Sequence, residues 1–285
     1  MLQASVAGLL AGGAYAMVGV CVVLLFQMTG VLNVAQAAIG AFGTMVMLQL
    51  LERGWGFGVA LPVGVLTAAA LAAMLGWAIA RFYADSSAQV RTIVTVAVLV
   101  GLLAVGFRLF GNDPRTVPSL VPGAGFRLAD VVVSGNALIA LVLAAAIAVG
   151  AGLLLNRSRL GVRLRAISER PVTAEMLGVP VTALAVGVWA VMGAVTAVAV
   201  TAVAPTRPSN FLSLSLLVMP AMAAALLGGL RNLPGAALGG VLIGVIEGAG
   251  TSVRQLSEYR QVLPFLVVVV ALVWLQRREV WDATR

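Results

Sequence analysis

The chain has no histidine and no lysine, a single cysteine, and only 18 basic and 10 acidic side chains in 285 residues. Each shortage closes off a chemistry. Without histidine, the hydrolytic triads and most zinc sites lose their usual residues, and with Cys21 alone no disulfide can form within the chain. Without lysine, no Gly-rich loop ends in the Lys that a phosphate-binding Walker loop requires, so ATP cannot be hydrolysed by that route. Charged residues make up 10% of the chain, against about 25% in an ordinary soluble domain, too few to cover a soluble core with a polar shell.

What is present is apolar. Hydrophobic residues make up 61% and the mean hydropathy is +1.08, so the bilayer is the solvent. Spans of about 20 mostly apolar residues are needed to cross the hydrocarbon. Nine runs qualify: 5–26, 34–51, 57–82, 92–110, 133–155, 182–204, 212–229, 235–252 and 262–275. The second, seventh, eighth and ninth are short, which predicts thinned, broken or half-length helices. The expected fold is an all-α polytopic membrane protein of about 8–9 transmembrane helices in one transmembrane domain over residues 1–285. The first run has no charged n-region and is expected to stay as a span rather than be cleaved.

The formal net charge of +8 is carried by arginine. These arginines lie between apolar runs rather than on one basic face with interleaved aromatics, which speaks against nucleic acid and for positive-inside topology. Residues 156–181 carry Arg157, Arg159, Arg163, Arg165 and Arg170, and are expected on the cytoplasmic side. That places the N-terminus outside, a mostly irregular Pro-rich loop over residues 111–132 outside, and a tail over 277–285, with Arg277 and Arg278, inside.

The segment from Arg157 to Val179 reads RSRLGVRLRAISERPVTAEMLGV, basic and amphipathic. A helix from Pro171 to Leu177 is expected to expose Glu175 and bury Met176 and Leu177, with Gly178 placed to end it. A short rigid helix held at the membrane surface by arginines can transmit a push from a soluble partner.

Polar residues inside the apolar runs are the other candidates, since burying charge in hydrocarbon is costly. Glu247 stands almost alone, as a residue near the solute path or as an interhelical hydrogen-bonding group. Asn33, Gln36, Thr44 and Asn232 are candidates to present uncharged dipoles to a polar solute, or to cap broken helices. Gly30–Gly40 (GVLNVAQAAIG) and Gly229–Gly239 (GLRNLPGAALG) echo each other, and matched interrupted helices often flank a transport path. Gly8 with Gly12, and Gly235 with Gly239, have the spacing that lets helix backbones approach closely.

In the basic segment Arg157, Gly161, Arg165, Ala166, Pro171, Ala174 and Gly178 fall in order on a pattern that resembles the permeases of branched-chain amino acid ABC importers, the LivH and LivM type, with Ser158 where the family usually has Thr. Two further stretches are similar to the family: residues 8–43, with Gly8, Gly12, Tyr15, Asn33 and Ala35, and residues 224–250, with Glu247. The likeness runs from about Gly8 to Gly250. It departs after Ala35, where Gln36, Ala37 and Ala38 replace the family's His-Gly-Glu or His-Gly-Asp, which leaves the solute open.

The resemblance implies a permease subunit in a bacterial cytoplasmic membrane. Its partners would be a second, homologous or identical permease subunit, two cytoplasmic ATP-binding subunits, an external solute-binding protein and membrane lipid. It implies no catalytic residue, no metal and no cofactor of the chain's own, since ATP would bind the partner. It also implies that Arg157, Arg159, Gly161, Arg163, Arg165, Glu169, Pro171, Glu175 and Gly178 form the loop that docks on the ATPase. A branched-chain or other amino acid is the implied solute. An ABC permease for an amide, urea, sugar or nucleoside, an ion-coupled secondary transporter and a membrane-embedded enzyme are the competing readings, the last two lacking the paired intramembrane charges their chemistry needs.

Overall fold

The computed structural model describes residues 2–84, 86–118, 125–128, 131–206, 209–251, 266–267 and 269–270. In chain order the helices are α1 (Leu2–Thr29), α2 (Gln36–Glu52), α3 (Phe57–Phe82), α4 (Ala88–Phe110), α5 (Gly135–Arg157), α6 (Arg159–Glu169), α7 (Pro171–Met176), α8 (Val181–Val203), α9 (Phe211–Ser215), α10 (Val218–Leu227) and α11 (Leu233–Gly250). Among the described residues, α1, α3, α4, α5, α8 and α11 are long and apolar enough to cross a membrane. α2, and α9 with α10, are the shorter apolar helices expected from the second and seventh runs. Of the ninth run only residues 266–267 and 269–270 are described, as helix, and the 277–285 tail lies outside the described residues.

α1 is the axis of the bundle, with 89% of its span buried, while the spans of α4 and α5 are 17% buried. The pairing of α1 with α11 explains how a helix can be so enclosed. A Cβ at Gly8 or Gly12 would run into the backbone of Gly244 or Val241, and one at Gly240, Gly244 or Gly248 into the backbone of α1. In lipid there is no hydrophobic force between helices, so association depends on close packing and interhelical hydrogen bonds, and small residues permit both. The expectation that Gly8 and Gly12 serve packing is therefore met.

The two helices run antiparallel. Gly248 faces Ala4 and Gly8, whereas Gln27 near the end of α1 donates its Nε2 hydrogen bond to the Arg231 carbonyl just before α11. Met28 packs on Leu164, Ile167 and Ala174, so the arginine-rich segment lies at the end of the bundle where α1 finishes. The opposite end is tied by the ion pair between Arg115 and Glu52 (2.9 Å) and by the Arg115 N–H bonding to the Ser209 carbonyl (3.2 Å).

One local expectation is refined and one is corrected. Among the described residues of 111–132, 111–118 are irregular apart from a bridge at Arg115, but β1 (Gly125–Leu128) pairs antiparallel with β2 (Val131–Ser134), Gly125 opposite Ser134. The β-branched run Val131–Val133 favours extended backbone, a signal split between the end of the segment read as loop, at 132, and the start of the apolar run read as helix, at 133. Met176 and Leu177 are not buried but 82% and 79% exposed. α7 is only six residues long, and Ala174, 2% exposed, is the one of its described side chains that faces the bundle.

Candidate functional site

The arginine-rich segment folds as a rigid elbow. α5 ends at Arg157, and the Ser158 hydroxyl then serves both helices, donating to the Leu154 carbonyl (2.6 Å) and accepting from the Gly161 N–H (2.9 Å). Ser158 is thus the N-cap of α6, a role a threonine would fill equally. Gly161 lies so near the Leu154 and Leu155 carbonyls that a Cβ there would overlap them, which lets α6 fold back against the end of α5.

α6 buries Gly161, Leu164 and Ile167 and leaves Arg159, Arg163, Arg165 and Glu169 exposed, together with Arg157 and Arg170 beside it. Pro171 opens α7, where its missing N–H costs nothing. Gly178 then closes α7 in the left-handed region (φ 80°). Its N–H bonds to the Glu175 carbonyl (2.9 Å) and the Val179 N–H to the Ala174 carbonyl (3.0 Å), the paired bonds of a Schellman stop. The outcome is a surface with Glu175, Met176 and Leu177 projecting from it and an arginine row alongside. Among the described residues none of these arginines has a carboxylate within ion-pair distance, the pair of Arg115 with Glu52 being the only one.

The sequence's path candidates are only partly brought together. Asn33 and Gln36 meet where α2 begins: the Asn33 Nδ2 donates to the Gln36 Oε1 (2.6 Å), and the Asn33 Oδ1 accepts from the Ala35 N–H (3.1 Å). The Gln36 Nε2 donates to the Thr196 hydroxyl (2.6 Å) and to the Met192 carbonyl (3.0 Å) on α8. Thr44, two turns along α2, shares a hydrogen bond with Thr201 (3.0 Å), also on α8. These three are at most 1% exposed and bond within the chain. Asn232 stands apart, exposed at the start of α11, where its side chain caps the helix by accepting from the Gly235 N–H (3.1 Å). Glu247 lies toward the other end of α11, half-buried, and accepts from the Tyr15 hydroxyl (2.6 Å).

Four threonines complete the polar interior and were not singled out from the sequence. Between α1 and α2 the chain crosses in non-helical backbone, and α4 satisfies it. Thr92 accepts from the Leu32 N–H (3.4 Å), and Thr95 accepts from the Val34 N–H (3.1 Å) while donating to the Leu32 carbonyl (3.0 Å). Arg91 donates to the Thr29 carbonyl (3.3 Å), and its Nε is buried with no partner among the described residues. On α8, Thr196 and Thr201 are the partners of Gln36 and Thr44. The available signal was their spacing, Thr92 with Thr95 one turn apart in a run otherwise nearly free of polar groups.

Residues 5–272 match the family described as branched-chain amino acid transport system / permease component. The high-affinity branched-chain amino acid transport system permease protein BraD of Pseudomonas aeruginosa is 28% identical over 96% of this chain and 93% of its own length. LivH of Escherichia coli K12, a protein of the same description, is 25% identical over 95% and 92%. A probable branched-chain amino acid transport permease protein LivH from Methanocaldococcus jannaschii is 26% identical over 79% and 73%.

Proposed function

Because this chain belongs to the family of branched-chain amino acid transport system permease components, we propose that it is the membrane-spanning subunit of an importer that moves a branched-chain or other small amino acid inward and is driven by a separate ATPase. ATP is bound by that partner, since this chain has no lysine for a Walker loop. In this reading two permease subunits, this chain with an identical or homologous one, carry two ATP-binding subunits on the cytoplasmic face. A solute-binding protein sits on the other face. The elbow end is cytoplasmic and the start of α1 is outside, as the arginine placement favours.

The observation that carries the reading is the elbow: a short helix fixed by a proline start, a Schellman stop and a buried Ala174, yet holding Glu175, Met176 and Leu177 out into solvent. Apolar side chains so displayed need a partner, and a helix so braced transmits displacement to α5 and α8 on either side of it. Transport then proceeds by alternating access, in which ATP shifts the balance of inward- and outward-open states by its differential affinity for them. Asn33, Gln36 and Thr44 frame the path from within by holding α2 to α8, and Asn232 and Glu247 set the two ends of α11.

Met176→Asp and Leu177→Asp place a charge at the proposed contact without touching the bundle. In the reconstituted complex, transport and solute-stimulated ATP hydrolysis should each fall at least about tenfold, the loss expected of a truncated interface anchor, while insertion and yield stay unchanged. The same test applied to Glu175→Ala and Arg165→Ala should give a smaller loss. Unaltered coupled transport in all four variants would remove the elbow from the contact, and uptake by this chain alone on an ion gradient would replace the reading with secondary transport.

A further inference from the structure

α1, α5, α6 and α8 leave an apolar groove of about 280 Å³ beside the elbow, lined by Leu24, Met28, Leu154, Leu160, Leu164 and Gly187 among others. We propose that it seats an acyl chain of one anionic phospholipid, whose phosphate is held by Arg157, Arg159 and Arg163. The inference rests on the chain's place in a membrane and not on the identity of the solute.

Three observations point to this occupant. The lining is entirely aliphatic, Met and Gly, with no polar side chain to orient a solute, and its volume is just under the roughly 300–1,000 Å³ of ligand clefts, enough for part of a hydrocarbon chain. The groove opens on the outer side of the bundle, where α5 is little buried and Leu154, Leu160 and Val191 are 46%, 45% and 55% exposed. A Cβ added at Gly187 meets nothing within 4 Å, so the space continues to the α8 backbone.

Charge then selects among lipids. Arg159 and Arg163 each precede a lining leucine, Leu160 and Leu164, by one residue, a step of about 100° round α6 that sets them beside the groove. Arg157 follows the lining residues Leu154 and Leu155 at the end of α5. None of the three has a carboxylate partner among the described residues. Phosphate is recognised by such forks, and arginines at a membrane surface attract anionic headgroups. Arg165 lies about 100° from Leu164 on the side of the leucine pair opposite Arg163, and Glu169 about 140° beyond Leu164 on that same side. One face of α6 is thus left for lipid and another for a soluble partner.

The test is lipid titration of the purified, delipidated full chain by native mass spectrometry, with phosphatidylglycerol and phosphatidylcholine of identical acyl chains. The wild type should bind one phosphatidylglycerol about tenfold or more tighter than phosphatidylcholine, which is the factor that a 1.4 kcal/mol headgroup preference gives. R159Q/R163Q should erase that preference. Gly187→Trp should weaken both lipids by filling the groove, and Gly101→Trp, in open space on α4, should change neither. If Gly187→Trp does not yield a monodisperse protein, Ala183→Leu is read in its place. Equal affinity for the two lipids in the wild type, or phosphatidylglycerol binding untouched by the filled groove, would overturn the proposal. So would efficient disulfide cross-linking of Gly187→Cys to a second copy in membranes, which would make the groove a contact between permeases.

Discussion

The two turns that read alike in the sequence, Gly30–Gly40 and Gly229–Gly239, do the same local job in opposite surroundings. Each follows a helix closed by a left-handed glycine, Gly30 at φ 65° and Gly229 at φ 59°, and each places an asparagine three residues later whose side chain accepts a backbone N–H. In the second turn α11 restarts at once, and Asn232 is exposed. In the first, helix does not resume until Gln36, and Asn33 is 1% exposed. The letters specify a stop and a restart; whether the non-helical link lies inside the protein depends on what a distant helix offers it. For the first turn α4 offers Thr92 and Thr95. Irregular backbone at membrane depth is tolerated only where protein or water satisfies it. A link of the first kind therefore depends on partners far away in sequence, and one of the second kind only on itself.

That difference sets the sizes of substitution effects. Gln36→Leu should cost the most, because it strands the buried Asn33 amide and deletes both bonds to α8. An unsatisfied buried group together with lost hydrogen bonds amounts to about 2–3 kcal/mol, and the thermal midpoint of the purified chain should fall by roughly 5–10 °C. An unchanged midpoint with altered uptake would instead return Gln36 to the solute path and break the contrast between the turns. Thr95→Val, close in shape, should cost less, about 1–2 kcal/mol, through the Val34 N–H and Leu32 carbonyl it leaves unpaired. Here the check is hydrogen exchange, which should accelerate at Val34 and leave Gly235 as it was.

Much of the bundle was legible because its cause is local. Eight of the nine apolar runs carry helices from α1 to α11, since length and hydropathy alone decide what can cross hydrocarbon. The proline start and glycine stop of α7 were legible for the same reason: Pro171 fixes its own φ, and Gly178 admits the left-handed φ that other residues resist. Illegible were features set by contact between distant segments. The Val131–Val133 strand was divided between the loop read to end at 132 and the helix read to begin at 133. Met176 and Leu177 were assigned to the core by hydrophobicity, yet the chain turns at Gly178 in a way that brings Ala174 inward instead. Thr92, Thr95, Thr196 and Thr201 pass for ordinary helix residues until α2 is seen to begin beside them. Of the five path candidates, only the encounter of Asn33 with Gln36 was implied by their spacing, and Glu247 has its tie to Tyr15 from across the chain.

The smallest effect belongs to the second turn and sharpens the contrast most directly. Asn232→Ala removes one side-chain acceptor from the first turn of α11, but the Gly235 N–H it abandons lies where water can replace it. The loss should be that of an exposed N-cap, about 1 kcal/mol, with Asn232→Gly costing a few tenths. Asn232→Asp should be neutral or slightly stabilising, because a carboxylate caps equally well and lies at the positive end of the helix dipole. Urea or thermal unfolding of the three variants beside Gln36→Leu makes the comparison. If Asn232→Ala destabilised the chain as much as Gln36→Leu, the two turns would be equivalent in energy, and the burial of the first would explain nothing about its role.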